Sequence, residues 1–286
     1  MLSKGNKMIK PAHKGALAMV AASLCWSIGG LCFKYIPWNA VSIIGLRALL
    51  AAIVYAIFRK SLKVSLTRGN ILAAIFISAT TVIFVFANQL TTAAAAVMLQ
   101  FTSPIFVLVI QFILYKQKPK LSEALAVTIT LLGMLLFFAG RLESGQMLGN
   151  ILALISGVTF ALVFVCNRRP DTDPEQSVML GFLINAVVFT PFAFFDPNIS
   201  AEIVPWAFIL LMGIVQVGIA YVFFTIGIKR TPALHANLIV AMEPVLNPIW
   251  VALFHTERPG GYAIAGGVVI ILTIACYNIW VSKKIT

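Results

Sequence analysis

Long apolar stretches alternate with short polar or Gly/Pro-containing breaks along the whole chain. Each stretch is about 20 residues long, the length at which a helix crosses the hydrocarbon core of a bilayer. A transmembrane barrel would instead show segments of about ten residues with alternating hydrophobicity, and this sequence has none. We therefore predict an all-α integral membrane protein with ten transmembrane helices, called spans 1 to 10, at residues 15–34, 40–58, 70–89, 93–115, 121–138, 149–168, 177–195, 205–228, 233–255 and 261–281.

The composition supports a membrane location. Of 286 residues, 60% are apolar and 10% are charged, and the mean hydropathy is +0.99, whereas a soluble domain carries roughly 25% charged residues. These values exclude soluble enzymes and nucleic-acid-binding proteins. The four cysteines lie inside apolar spans, without a C-x-x-C pair or clustered histidines. No metal site and no cofactor are therefore expected.

The positive charges are distributed unevenly between the loops, and this distribution accounts for the net charge of +12. Seventeen Lys and Arg residues fall on the side of the N-terminus, and three, Lys34, Arg141 and Arg258, fall on the other side. Cytoplasmic loops are enriched in Lys and Arg. We therefore expect a bacterial plasma (inner) membrane protein with cytoplasmic tails at 1–14 and 282–286.

The sequence contains two weakly similar halves. Offsets of 134 and 140 residues superpose like residues, among them Gly15 on Gly149, Trp26 on Phe160, Thr91 on Thr231 and Pro104 on Pro244. We predict a first repeat at 15–140 and a second at 141–281, each with five spans. Because five is an odd number, the second repeat enters the membrane from the opposite side.

Inverted repeats place a binding site at their interface near the bilayer midplane, and rocking of the two halves exposes that site to each side in turn. The alternative is that duplication only enlarged a membrane scaffold. Almost no chain lies outside the predicted spans, so a scaffold would have little to hold.

Several short motifs carry a family resemblance. They are Trp26-Ser27 followed by Lys34, Ser42 to Arg47, Thr91-Thr92-Ala93, Ser103-Pro104, Glu243-Pro244 and Glu257-Arg258-Pro259. Together with the ten spans and two inverted halves, they resemble the drug/metabolite transporter superfamily, EamA type. The resemblance implies an exporter of amino acids and other small metabolites, with a central cavity lined mainly by spans 1, 3, 4, 6, 8 and 9. Gln117 departs from the family pattern, which has a glutamate at the end of span 4.

Two ionisable residues lie deep within the predicted spans, Arg47 and Glu243. An ionisable group at the centre of a membrane helix costs roughly 2.5–3.5 kcal/mol on insertion scales, so each indicates a function. One hypothesis is a buried Arg47–Glu243 pair with a structural or gating role. The alternative is that Arg47 caps backbone carbonyls or extends to the outer interface.

Prolines follow polar residues in spans 4 and 9. Because proline removes a backbone hydrogen bond and clashes with the preceding turn, Pro104 and Pro244 predict kinks that expose backbone to a ligand. The polar neighbours Gln100, Ser103 and Asn247 are then candidate substrate contacts, together with Glu243. The alternative is that the prolines only shape helix packing.

Aromatic and amide side chains near the midplane complete the candidate substrate site: Trp26, Phe101, Phe160, Gln216 and Tyr221. They would suit an apolar or aromatic metabolite, although plain packing also explains them. His235 is a candidate for proton coupling with Glu243; the alternative is a solvated histidine near the cytoplasmic end of span 9.

We therefore predict a secondary transporter that exports small organic metabolites by alternating access, with a proton as a candidate coupling ion. No Gly-rich nucleotide-binding loop is present, which argues against the use of ATP. No catalytic motif is present either. The competing class is a non-transporting membrane protein, such as a membrane enzyme or a subunit that stabilises a partner.

Overall fold

The computed structural model describes residues 11–91, 93–139, 147–254 and 260–285, and the regular secondary structure in these ranges is entirely helical. Among the described residues, nine helical stretches are long and apolar enough to cross a membrane: His13–Phe33, Ala40–Arg59, Arg68–Leu90, Ala95–Tyr115, Leu121–Phe138, Met147–Cys166, Pro174–Phe195, Ile203–Ile228 and Gly261–Val281. They coincide with predicted spans 1 to 8 and span 10. The prediction of an all-α membrane protein is confirmed.

Predicted span 9 contains a shorter apolar helical stretch, Ala233–Leu246. It consists of two helices, Ala233–Val240 and Glu243–Phe254, separated by a turn. We keep the number 9 for this pair. The predicted Glu257-Arg258-Pro259 motif, Arg141, Thr92 and most of the N-terminal tail lie outside the described residues.

Besides span 9, four other spans in the described ranges depart from a single regular α-helix. Span 1 is divided into Pro11–Trp26 and Gly29–Tyr35, and span 4 into Ala93–Gln100 and Ser103–Tyr115. Span 7 continues from Pro174–Phe189 into a 3₁₀ turn. Span 8 has a π-helical segment, Met212–Ile219, between two α-helical parts.

The helix ends carry residues suited to stopping or starting a helix. The Thr67 side chain accepts a hydrogen bond from the backbone N–H of Asn70 (3.2 Å), and Asp173 caps span 7 ahead of Pro174. These are preferred residues at helix starts, where backbone N–H groups lack partners. Lys60 and Lys116 adopt left-handed backbone conformations that terminate spans 2 and 4.

The loops define two ends of the helical bundle. We call the end with loops 60–67, 116–120, 167–173 and 229–232 the basic end, and the end with loops 36–39 and 196–202 the opposite end. At the basic end, the Lys229 ammonium lies 3.2 Å from the Asp173 carboxylate and also pairs with Glu175.

The opposite end is closed by contacts between the span 1–2 loop and the span 7–8 region. The Asp196 carboxylate accepts hydrogen bonds from the backbone and side-chain nitrogens of Asn39, both at 2.8 Å. The Trp38 and Trp206 rings meet edge to face with centroids 4.9 Å apart, and Tyr35 stacks on Phe208 at 4.2 Å.

Spans of the first half pack against spans of the second half in matching pairs. Span 1 packs on span 8 and span 6 packs on span 3, while span 2 pairs with span 7 and span 5 with span 10. Close approaches follow the same scheme: a Cβ on Gly15 would lie 2.6 Å from the Thr231 hydroxyl, and one on Gly149 would lie 2.7 Å from the Thr91 nitrogen. A glycine is therefore needed at the start of span 1, which meets the residues before span 9, and at the start of span 6, which meets the residues before span 4.

Candidate functional site

A cavity lies at the centre of the bundle, among side chains from spans 1, 2, 3, 4, 6, 8 and 9. Its volume is about 60 Å³, and eleven residues line it: Trp26, Arg47, Thr80, Thr81, Phe84, Gln100, Phe160, Gln216, Val217, Tyr221 and Glu243. This volume holds a few water molecules, whereas organic ligands occupy sites of roughly 300–1,000 Å³. The described conformation is therefore contracted around its centre.

Helix interruptions meet at this cavity. Spans 4 and 9 break at residues 101–102 and 241–242, directly before Ser103-Pro104 and Glu243-Pro244. Both prolines occupy the first turn of a new helix, where a missing N–H costs no helical hydrogen bond. Pro104 and Pro244 themselves are buried and do not line the cavity. The breaks place Gln100 and Glu243 at the cavity wall.

The irregular parts of spans 1 and 8 lie beside each other at the same place. A Cβ on Gly29 would lie 3.0 Å from the side-chain nitrogen of Gln216, which belongs to the π-helical segment. Nearby, the Ser27 hydroxyl accepts a hydrogen bond from the Trp250 indole at 2.8 Å. Short π-helical segments often occur at functional sites because they re-aim side chains within a helix.

Aromatic rings form one wall. The Trp26 ring contacts Tyr221 and Phe160 edge to face, with centroids 5.3 and 6.0 Å apart. Phe101 is fully buried and packs edge to face behind Phe160 at 6.1 Å, so it does not line the cavity. The structure thus brings three of the four predicted aromatic site residues to the cavity and places Phe101 in the packing layer behind them.

Arg47 is buried and held by weak contacts. Its guanidinium lies 3.4 Å from the Thr81 backbone oxygen and 4.0 Å from the Met212 sulfur, and it sits over the Phe33 ring at 5.9 Å. Its Nε atom has no hydrogen-bond partner within the described ranges. The Thr81 contact matches the alternative prediction that Arg47 caps a backbone carbonyl.

The predicted Arg47–Glu243 ion pair is not formed. Both side chains line the cavity, but among the described residues Glu243 has neither an ion-pair partner within 4.0 Å nor a hydrogen-bond partner. The Gln216 side-chain oxygen is likewise buried without a partner. A cation, two unpartnered acceptors and four aromatic rings therefore share one small space.

The remaining predicted residues lie elsewhere. The Ser103 hydroxyl donates a hydrogen bond to the Asn237 side-chain oxygen (3.1 Å) and joins span 4 to span 9 behind the cavity. The Asn247 side chain lies outside the described residues.

His235 is buried, in contrast to the alternative of a solvated histidine. It is hydrogen-bonded to Asn278 of span 10 and packs against Tyr277. His235 lies near the start of span 9 at the basic end and does not line the central cavity. The proposed partnership with Glu243 is therefore not a direct contact.

Sequence reasoning missed the contribution of span 3. Thr80, Thr81 and Phe84 line the cavity, and the Thr80 hydroxyl lies 2.9 Å from that of Thr159 in span 6. The adjacent threonines in the middle of an apolar span were the available signal. No group of three or more His, Cys, Asp or Glu residues within the part of the chain that the structure describes could hold a metal.

Comparison with known proteins identifies a transporter family and related transporters. The EamA-like transporter family model matches residues 13–139 and again residues 147–279. An uncharacterized transporter of Archaeoglobus fulgidus is 23% identical over 69% of this chain and 73% of its own length. The uncharacterized transporter YxxF of Bacillus subtilis is 21% identical over 65% of this chain and 61% of its own length.

The crystal structure of another protein has a similar fold. Its TM-score is 0.78 and its sequence identity 18%, and the match covers 93% of this chain and 97% of the other. At this identity the likeness concerns the fold.

Proposed function

Because the chain belongs to the EamA-like transporter family, whose model matches it twice, we propose that it is a secondary transporter that exports small zwitterionic metabolites by alternating access. The observation that carries this proposal is the central cavity, where Arg47, Glu243 and unpartnered Gln216 face a wall of aromatic rings. Amino acids with apolar or aromatic side chains are the substrate class that fits this chemistry.

The proposed architecture is ten membrane crossings in two inverted halves, with both termini in the cytoplasm. The paired contacts support it, since Ser23 of span 1 donates to the Val240 oxygen of span 9 (3.4 Å) and Gly157 of span 6 abuts the Gln100 oxygen of span 4. These positions are related by the same sequence offsets, 134 and 140, as the two halves. Contacts related in this way are expected for two halves that move against each other.

Each charged side chain is assigned to one charged group of the substrate. The Arg47 guanidinium is suited to bind a carboxylate, because it is a fixed cation with several donors. Glu243 and the Gln216 oxygen are acceptors and suit an ammonium group. Trp26, Phe160 and Tyr221 then contact the side chain of the substrate. A polar site built in this way discriminates strongly against analogues that leave a buried group unpaired.

Glu243 provides a means of coupling. A proton and a substrate ammonium group compete for the same carboxylate, so protonation from the outer side releases substrate, and loss of the proton to the cytoplasm allows substrate to bind again. A proton gradient directed into the cell would thereby drive export. Alternating access requires that the cavity widen well beyond its present volume when substrate enters.

A ligand series tests the substrate class directly. Binding to the native state raises thermal stability with the logarithm of ligand concentration over its dissociation constant. Phenethylamine lacks the carboxylate, and N-acetylphenylalanine lacks the ammonium group. We expect phenylalanine to stabilise the purified protein at concentrations at least about tenfold below those needed for either analogue. A tenfold difference in affinity corresponds to about 1.4 kcal/mol. Equal stabilisation by all three compounds would contradict a zwitterion site.

A further inference from the structure

A second and larger cavity lies at the basic end, away from the central cavity. It has a volume of about 670 Å³ and is bounded by the end of span 4, the loop and start of span 5, the start of span 9 and the last turns of span 10. The two cavities share no lining residue. The transport cycle proposed above does not use this cavity.

The rim of this cavity is cationic. Lys118 and Lys120 line it and are exposed, and within the described ranges neither ammonium has a carboxylate partner within 4.0 Å. The carboxylate at the rim, Glu123, accepts a hydrogen bond from the Lys120 backbone N–H at 2.9 Å and so caps span 5. The positive end of the span 5 helix dipole points to the same place. The rim therefore favours an anion.

The inner surface of the cavity is mixed. Leu108, Leu234 and Val281 provide apolar surface, and Tyr277 and Trp280 add aromatic rings with polar tips. At the start of span 5, Leu121 is 76% exposed beside the loop that carries the lysines. A ligand that matches both the rim and the interior has an anionic head and an apolar body.

The position of the cavity along the membrane-spanning helices indicates that this ligand comes from the membrane. It lies at the basic ends of spans 4, 5, 9 and 10, and the ends of helices that cross the hydrocarbon core lie at the level of the lipid headgroups. Trp and Tyr are typical of this level, and basic pockets between membrane helices bind anionic lipid headgroups. We propose that this cavity binds one anionic phospholipid from the leaflet at the basic end, with its phosphate between Lys118 and Lys120 and an acyl chain against Leu108 and Val281.

Quenching of Trp280 fluorescence tests the proposal. Of the five tryptophans, Trp280 is the one that lines this cavity. The purified full-length chain is placed in phosphatidylcholine nanodiscs, and phosphatidylglycerol with brominated acyl chains is titrated in. The Trp280→Phe variant supplies the signal of the other tryptophans, which is subtracted. We expect saturable quenching at low mole fractions of brominated phosphatidylglycerol, and weaker, unsaturated quenching by brominated phosphatidylcholine.

Paired charge variants locate the site. Lys118→Gln combined with Lys120→Gln should weaken phosphatidylglycerol binding about 25-fold, the effect expected from removing two cations near a lipid surface. Lys60→Gln combined with Lys63→Gln is the matched control, because both lysines are exposed at the same end and neither lines the cavity. The control should change binding less than about threefold.

Three results would overturn the proposal. Equal quenching by the two brominated lipids would show no preference for an anionic lipid. An equal loss in the control pair would assign the preference to general surface charge. Protection from quenching by millimolar glycerol 1-phosphate or inorganic phosphate would identify a site for soluble anions in place of a lipid.

Discussion

Arg47 and Glu243 carry the charges on the wall of the central cavity, and they are not paired with each other. A buried charge without a close partner is costly, and these residues therefore mark the place where a charged ligand would lower the free energy of the native state. Because Arg47 is proposed to bind the substrate carboxylate and Glu243 its ammonium group, substitutions of the two side chains should have different effects.

Arg47→Met should remove the ability to recognise a carboxylate. We expect the variant to bind phenylalanine and phenethylamine with equal affinity while it still discriminates against N-acetylphenylalanine, because the acceptors for the ammonium group remain. Thermal-shift titrations of the three compounds measure this. Arg68→Met, at an exposed position at the start of span 3, is the control and should keep the native order of affinities. Unchanged preference for phenylalanine in Arg47→Met would contradict the assignment.

Glu243→Gln should uncouple transport from the proton gradient. A neutral amide accepts hydrogen bonds from an ammonium group but does not bind and release a proton, so exchange of substrate should persist while acceleration by a pH gradient disappears. Flux into liposomes with and without an imposed gradient measures both. Glu202→Gln, at an exposed residue of the opposite end, should retain the acceleration. If Glu243→Gln also retained it, Glu243 would not be the coupling site.

The Asp196 carboxylate links the two loops of the opposite end and predicts a pH effect on stability. Burial alone would raise the pKa of Asp196, but hydrogen bonds from Asn198 and Asn39 help to outweigh it, and that pKa is lowered below its ordinary value. A pKa that is lower in the folded state stabilises the protein above the unfolded value, about 3.9, and this stability is lost as pH falls through the folded value.

Asp196→Asn should therefore lower the free energy of unfolding by about 1–2 kcal/mol near neutral pH, the scale of a hydrogen bond to a charged group. Melting temperatures of the native and variant proteins in detergent should differ at pH 5 and above. They should begin to converge near pH 4 and continue to do so as pH falls through the folded pKa and the carboxylate of the native protein is protonated. A difference that stayed constant from pH 7 to pH 3 would contradict this account of Asp196.

Sequence analysis found much of the cavity wall but not all of it. Trp26, Phe160, Tyr221 and Gln216 were visible because large aromatic and amide side chains stand out near the middle of apolar spans. Gln100 and Phe101 were both predicted as substrate contacts, and Phe101 lies behind the cavity wall. Adjacent residues on a helix point about 100° apart, and the sequence does not give the exact position of the break in span 4. Thr80 was missed because threonine is ordinary in membrane helices.

At the scale of elements, the interruptions in spans 1, 4, 8 and 9 all adjoin the central cavity. The breaks in spans 4 and 9 were predictable, because proline cannot continue a helix without losing a hydrogen bond. The break at Ser27–Ile28 and the π-helical segment Met212–Ile219 were not, since neither contains proline. Irregular backbone at membrane depth is tolerated where it is buried in protein or lines a cavity, and these elements meet that condition.

The close contact between span 6 and the turn before span 4 predicts a strict requirement for glycine. A Cβ on Gly149 would lie 2.5 Å from the Leu90 carbonyl carbon, which is backbone and cannot move aside. Gly149→Ala should destabilise the protein by about 1–3 kcal/mol through overpacking. A Cβ on Gly260 would meet none of the described residues within 4 Å, so Gly260→Ala should leave the melting temperature unchanged. Equal melting temperatures of the two variants would contradict the described packing.

At the scale of the whole molecule, the pairing of spans gives the transport proposal its mechanical basis. Span 1 packs on span 8 as span 6 packs on span 3, and the cavity lies between elements of both halves. The sequence indicated the duplication through matched residues such as Pro104 and Pro244. It could not indicate which helices touch, because contacts between distant spans depend on surfaces that similar apolar sequences do not distinguish.

The two cavities are assigned separate roles. If the assignments above hold, anionic lipid affects the stability and activity of the transporter through the basic end, while substrate specificity depends on the central cavity. Variants of Lys118 and Lys120 should then leave the order of substrate affinities unchanged.

The central claim is that this chain alone moves a zwitterionic solute across a membrane, and counterflow tests it most directly. Purified protein is reconstituted into liposomes loaded with millimolar unlabelled amino acids, and uptake of trace labelled phenylalanine is followed. The account predicts transient accumulation of label above its equilibrium level, and loss of this accumulation in Arg47→Met. Uptake no greater than in protein-free liposomes, across a panel of amino acids and at every pH tried, would contradict it.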